Sequence, residues 1–315
     1  MDEIKIIQDQ LYYDIFLAEE TMRMSLRQLD EKAKYVTEAG EIIVLNESVA
    51  EVIRTYIKKV AASIQKAWNT FKAKIDYKII RFVIDNNKKY LESDFKMKLP
   101  DDYEYPEINV WKDINQNCSV GDNLLTSSNY AQMSEYLEST EKFLQQYYPN
   151  FVEQENGEQM RMIDVFMKRC FTKATNQQVV ERRLISEFVS FLDDYQNQIE
   201  MIQEDIDAIN NVSQNIDQLL RQVTGEATEY IGNIILEAED TNKFRNADPN
   251  AEEKTKSNNK DRQNIVTYYK AMTQLLTAKM RTCNKVKSNT LRIVTNFVRL
   301  QGGLVKIPEK NKENK

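Results

Sequence analysis

Histidine is absent from all 315 residues. It is the commonest general acid–base and a leading metal ligand, so its absence removes Ser-His-Asp and Cys-His catalysis and most zinc enzymes. Glycine and proline are scarce, at 7 and 5 residues. Compact α/β enzymes need glycine for tight turns and for backbone approach to phosphates, so this poverty excludes many turns and favours a few long helices. The three cysteines, Cys118, Cys170 and Cys283, are scattered without a CxxC. They are expected as reduced, buried apolar side chains of a cytosolic protein. The longest aliphatic run, Ile42–Leu45, is far short of a membrane span, and the acidic N-terminus has no leader-like pattern. No transmembrane segment is expected. GxGxxG, GxxxxGK[ST] and DxDxDG are missing, so no cofactor, metal site or enzymatic activity is expected.

What is present is rhythm. Ile185, Phe188, Leu192, Tyr195, Ile199, Ile202, Ile206, Ile209, Ser213, Ile216, Leu220, Val223, Ala227, Tyr230 and Ile234 recur at intervals of three and four. Such a run is the seam of a long coiled-coil helix, here about 178–244. A second rhythm, from Ile265 through Tyr269, Met272, Leu276, Met280, Cys283, Val286, Ile293 and Phe297 to Leu300, predicts a return helix over about 261–300. Polar residues 245–261, with Asp248-Pro249, read as the reversal or a disordered connector. Leu219, Ile231 and Ile235 widen the seam beyond one partner helix and point to homo-oligomerisation.

Upstream, Ile4, Ile7, Leu11, Ile15, Ala18, Met22, Leu26, Leu29 and Ala33 predict an amphipathic helix over 3–37, broken by Gly40. Residues 40–46 read as a connector and 48–97 as a second long helix. Residues 99–131, acidic and aromatic with Pro100 and Pro106, read as an irregular insertion. A helix is expected over about 131–147, and a break near Thr172–Asn176. The fold class is therefore all-α: an elongated antiparallel helical bundle with a long C-terminal coiled-coil hairpin and an irregular acidic insertion. The expected division is a two-helix region 1–98, the insertion with a short helix 99–157, the hairpin 158–301, and a disordered basic tail 302–315.

Charge alternates along the chain: −5 over residues 1–43, +6 over 44–98, −10 over 99–160, −7 over 161–243 and +10 over 244–315. Blocks of opposite sign let one helix neutralise the next, or let one face meet a charged partner. The basic stretch 54–98 is the sharpest candidate for the latter, through Lys58, Lys59, Lys66, Lys72 and Lys74. Against this stands packing on the acidic first helix with the lysines left in water. A membrane surface or nucleic acid would serve as the acidic partner. Tyr103, Tyr105 and Trp111 are candidate docking aromatics, or a lid folded onto the helices.

Leu45-Asn46-Glu47-Ser48-Val49, followed by Ile57-Lys58-Lys59-Val60-Ala61-Ala62-Ser63-Ile64-Gln65-Lys66-Ala67-Trp68-Asn69-Thr70-Phe71-Lys72, is similar to helical segments in virion structural proteins of large tailed phages of AT-rich Gram-positive hosts. The likeness spans some 30 residues and is one of style, so it transfers no catalytic residue. It implies a helical, non-enzymatic head-associated or internal protein, made in the host bacterial cytoplasm and assembled into a particle. Its expected partners are other structural proteins of that particle and further copies of itself. The alternatives are a membrane-active long-helix effector, and a nucleic-acid packing protein using helix 54–98 and the basic tail.

Overall fold

The computed structural model describes the backbone of residues 3–33, 39–75, 77–118, 142, 145–146, 156–175, 178–238 and 249–306. It describes side chains mainly over 6–29, 48–75, 77–118, 161–175, 178–220 and 265–306, save Gln8, Thr267 and Tyr268. The chain is mostly helical: α1 Glu3–Ala33, α2 Ala39–Ala73, α3 Tyr77–Asp85, α4 Lys88–Leu91, α5 Ile108–Asn117, α6 Asn156–Lys168, α7 Arg182–Asp193, α8 Tyr195–Ala238 and α9 Pro249–Leu300. Four short strands accompany them: β1 Met97–Lys98, β2 Glu104–Pro106, β3 Phe171–Lys173 and β4 Val179–Val180.

Several boundaries differ from those the sequence suggested. Residues 40–46 lie inside α2, because one glycine costs a helix only about 1 kcal/mol. The second long helix stops at Ala73, and α3 and α4 replace its continuation. Residues 249–261 open α9 instead of forming a reversal, since proline suits a first helical position. The insertion is not wholly irregular. β2 pairs antiparallel with β3 (Tyr105 opposite Thr172), β1 pairs with β4 (Met97 opposite Val180), and α5 follows directly. Asp102 turns the chain between β1 and β2 with φ 58°, a conformation aspartate tolerates. The second half of the insertion, most of the helix expected over 131–147, residues 239–248 and the tail beyond 306 lie outside the described residues.

Contacts divide the chain into two compact units that cut across the contiguous segments expected. Unit 1 comprises Met1–Phe71, Val120–Leu144 and Glu204–Thr277. Unit 2 comprises Lys72–Ser119, Gln145–Gln203 and Ala278–Lys315. In unit 1, α1 buries Leu11, Ile15, Ala18 and Met22, while α2 buries Tyr56, Ile57, Val60, Ile64 and Trp68. The Tyr269 hydroxyl of α9 donates to the Ile57 carbonyl of α2 at 3.2 Å, and its ring meets Tyr56 edge-on at 6.3 Å. Met272 to Thr277 of α9 are each buried, more than a helical turn, so α9 is covered on every side there and not along one seam.

In unit 2, α7 buries Ile185, Phe188, Phe191 and Leu192, and Tyr195 follows. The last turn of α9 is closed by a paired glycine motif. Gly302, at φ 82°, donates to the Arg299 carbonyl, and Gly303 donates to the Val298 carbonyl. Residues 302–304, expected to begin a disordered tail, are held by buried Asn87. Its amide donates to the Leu304 carbonyl at 2.6 Å, and its carbonyl accepts from the Leu304 N–H at 2.8 Å.

Candidate interaction surface

α1 carries two apolar stripes, not one. The first faces the core: Leu11 and Met22 are 2% and 5% exposed. The second was not recognised in the sequence. Ile6, Tyr13, Phe16, Leu17 and Met24 are 50–59% exposed. At about 100° per residue, Ile6, Tyr13, Leu17 and Met24 fall within about 40° of one another, on the side opposite the core stripe. The only signal was their 7-4-7 spacing, in a phase opposed to the stronger stripe.

Glu19 borders the inward face of α1. Its Oε1 accepts from the Tyr56 hydroxyl of α2 at 3.5 Å and lies 3.7 Å from Lys270 Nζ of α9. The pair is largely shielded, with 20% and 14% of the two side chains exposed. On the outer face, Gln10 donates to Asp14 at 2.7 Å, and Arg23 pairs with Glu20 at 2.5 Å. These local bonds leave the apolar side chains between them uncovered.

The candidate lysines of α2 are partly engaged within the chain. Arg54 pairs with Asp217 of α8, and Lys58 Nζ lies 3.9 Å from the same carboxylate. Lys72 donates to Gln203 at 2.7 Å. Lys59, Lys66 and Lys74 are exposed. The basic helix thus pairs in part with acidic α8, and it also lies against acidic α1, where Tyr56 meets Glu19.

The candidate aromatics turn inward. Trp111 is buried, and its Nε1 donates to Gln198 at 3.2 Å. Tyr105 is buried 5.5 Å from the Phe188 ring. Tyr103 is half-buried beneath the Arg292 guanidinium, 4.1 Å from the ring centre. The 3.6-residue period through Ile108, Trp111, Asn115 and Cys118 folds one edge of α5, Trp111 included, into the core, while Tyr105 is buried from β2.

Seam positions are buried in both units. Ile185, Phe188, Leu192, Tyr195, Ile199 and Ile202 are covered in unit 2, and Ile206, Ile209, Ser213, Ile216 and Leu220 in unit 1. Leu219, expected to be spare for another copy, is 1% exposed within this single chain. Val223, Tyr230 and Ile234 belong to α8, with side chains outside those described.

Buried polar chemistry gathers at the end of α5. Lys279, fully buried on α9, donates to the carbonyls of Asn115 and Cys118, each at 3.2 Å. These are terminal carbonyls that α5 cannot satisfy itself, and the ammonium also meets the negative end of the helix dipole. Asn115 donates to Gln198 at 3.2 Å, and Gln198 in turn donates to Asp194 at 2.9 Å. Burial pushes the Cys170 and Cys283 thiols up to about 12, which keeps them protonated and poorly nucleophilic. A groove of about 920 Å³ between α5 and α7 has mixed charge, and pairs Lys96 with Glu181 at 3.6 Å and Arg183 with Glu187 at 3.7 Å along its own walls.

Among the described residues no group of three histidine, cysteine or acidic side chains is placed to hold a metal ion. No described helix is long and apolar enough to cross a membrane. Comparison with protein-family models, with curated proteins and with solved structures found no match.

Proposed function

We propose that this chain is a non-enzymatic structural or assembly protein that works through helix-mediated protein–protein contact, of the kind built into phage virions. The observation that carries the reading is the outer stripe of α1. A helix whose inner face is already packed has no folding reason to present Ile6, Tyr13, Leu17 and Met24 to water, and clustered exposed apolar side chains mark contact surfaces. In this reading α8 and α9 run as a coiled-coil hairpin inside a wider helical bundle; the buried seam positions of α8 support the seam, and the burial of α9 on every side supports the wider bundle. The virion assignment rests on the likeness of residues 45–49 and 57–72 to phage structural proteins.

A photo-reactive benzoylphenylalanine at Tyr13 tests the reading in the producing cell. Adducts to polypeptide support it. Adducts to lipid or nucleic acid, or none at all, overturn it.

A further inference from the structure

We propose that α1 pairs antiparallel with α1 of a second copy of this chain, in a register centred on Ile15. This rests on the assembly reading above and names its partner.

The outer face of α1 is self-complementary. Filling the gaps in the 7-4-7 spacing gives Ile6, Gln10, Tyr13, Leu17, Glu20 and Met24, a run of intervals 4-3-4-3-4 that reads the same from either end. An antiparallel twofold then sets Ile6 against Met24 of the second copy, Gln10 against Glu20, and Tyr13 against Leu17. Apolar meets apolar at each such layer, and the one polar combination joins an amide donor to a carboxylate acceptor. The parallel alternative stacks Glu20 on Glu20, two like charges inside a seam.

The flanking positions agree. Antiparallel helices bring like flanks together. On one flank Phe16, 59% exposed, faces Phe16 of the second copy beside the axis. On the same flank Asp9 comes opposite Arg23 of the second copy, twice by symmetry, with opposite charges. The other flank brings Asp14 toward Asp14 of the second copy, the single like-charge approach. That carboxylate already accepts from Gln10. The stripe from Ile6 to Met24 is ~28 Å long at ~1.5 Å per residue. A single helix pair of that length lies below the roughly 1,200 Å² of a standard interface, so the dimer should be dissociable, with a Kd on the order of micromolar.

Sedimentation equilibrium of the full chain from about 1 to 200 μM, bracketing that Kd, is the test. A mass rising from monomer to dimer is expected. Tyr13→Glu with Leu17→Glu should weaken association at least tenfold while circular dichroism and melting stay unchanged, and Asp14→Asn should strengthen it. Orientation is read by oxidising a mixture of Gln10→Cys and Glu20→Cys chains, which should cross-link to each other and not to themselves. A monomer at every concentration, a dimer indifferent to the glutamates, or Gln10→Cys joined to itself would each sink the proposal. If the chain stays monomeric while Tyr13 photo-adducts form on another polypeptide, self-pairing falls and the assembly reading stands.

Discussion

Lys279 Nζ lies 3.2 Å from the carbonyl oxygens of both Asn115 and Cys118, at the end of α5. A helix end buried without donors costs the desolvation of its carbonyls. Lys279→Met keeps the volume but removes both bonds, and should destabilise the chain by about 2–4 kcal/mol. Urea denaturation measures the total, and hydrogen exchange should show the loss concentrated in α5. A variant as stable as the parent would mean that the ammonium contributes nothing net.

The end of α9 gives a second prediction. Asn87 binds both backbone groups of Leu304 and donates to the Val83 carbonyl at 2.7 Å. A Cβ at position 303 would overlap Val298, Asn87 and Tyr90. Gly303→Ala should therefore cost about 1–3 kcal/mol through overpacking. Asn87→Ala should cost a similar amount through lost hydrogen bonds, about 1–3 kcal/mol. The double variant should lose less than the sum, because either change undoes the same turn.

Alkaline pH should unfold the protein. Burial raises the Cys170 and Cys283 thiols from 9.0 to about 12, and raises the Tyr56, Tyr195 and Tyr269 hydroxyls as well. A raised folded value means the native state keeps protons that the unfolded chain releases. The thiols' contribution to stability is thus level below pH 9 and falls as pH climbs toward 12, by about 1.4 kcal/mol per pH unit for each thiol. Urea midpoints across that range test it, and Cys283→Val should reduce the slope by one proton.

Removing Glu19 should loosen α1. Glu19→Ala takes away the carboxylate beside Lys270 and the acceptor of the Tyr56 hydroxyl, at a cost of about 1–2 kcal/mol. Limited proteolysis should then cut within α1 first. Unchanged cleavage would show that apolar packing alone holds this helix.

Long-period features were legible from sequence alone. Leu11, Ile15 and Met22 of α1 and the seam positions of α8 from Ile199 to Leu220 are buried as their spacing required. Non-local features were not. β2 finds β3 some 65 residues away, and nothing within Glu104–Pro106 encodes that partner. α2 ends before Lys74 and Ile75, neither of which is glycine or proline. Pro100, Pro106 and a cluster of acids made α5 look irregular, yet three of its buried residues, Ile108, Trp111 and Asn115, already repeat at helical intervals. The outer stripe of α1 was hidden by its neighbour: a search for one amphipathic face assigns every residue in the opposite phase to solvent.

The burial of all three native cysteines makes this molecule convenient to instrument. A thiol engineered onto its surface would be the sole fast-reacting one, so spin labels or fluorophores can be installed singly without first deleting Cys118, Cys170 or Cys283. Distances between helices then become measurable with the native cysteines kept in place.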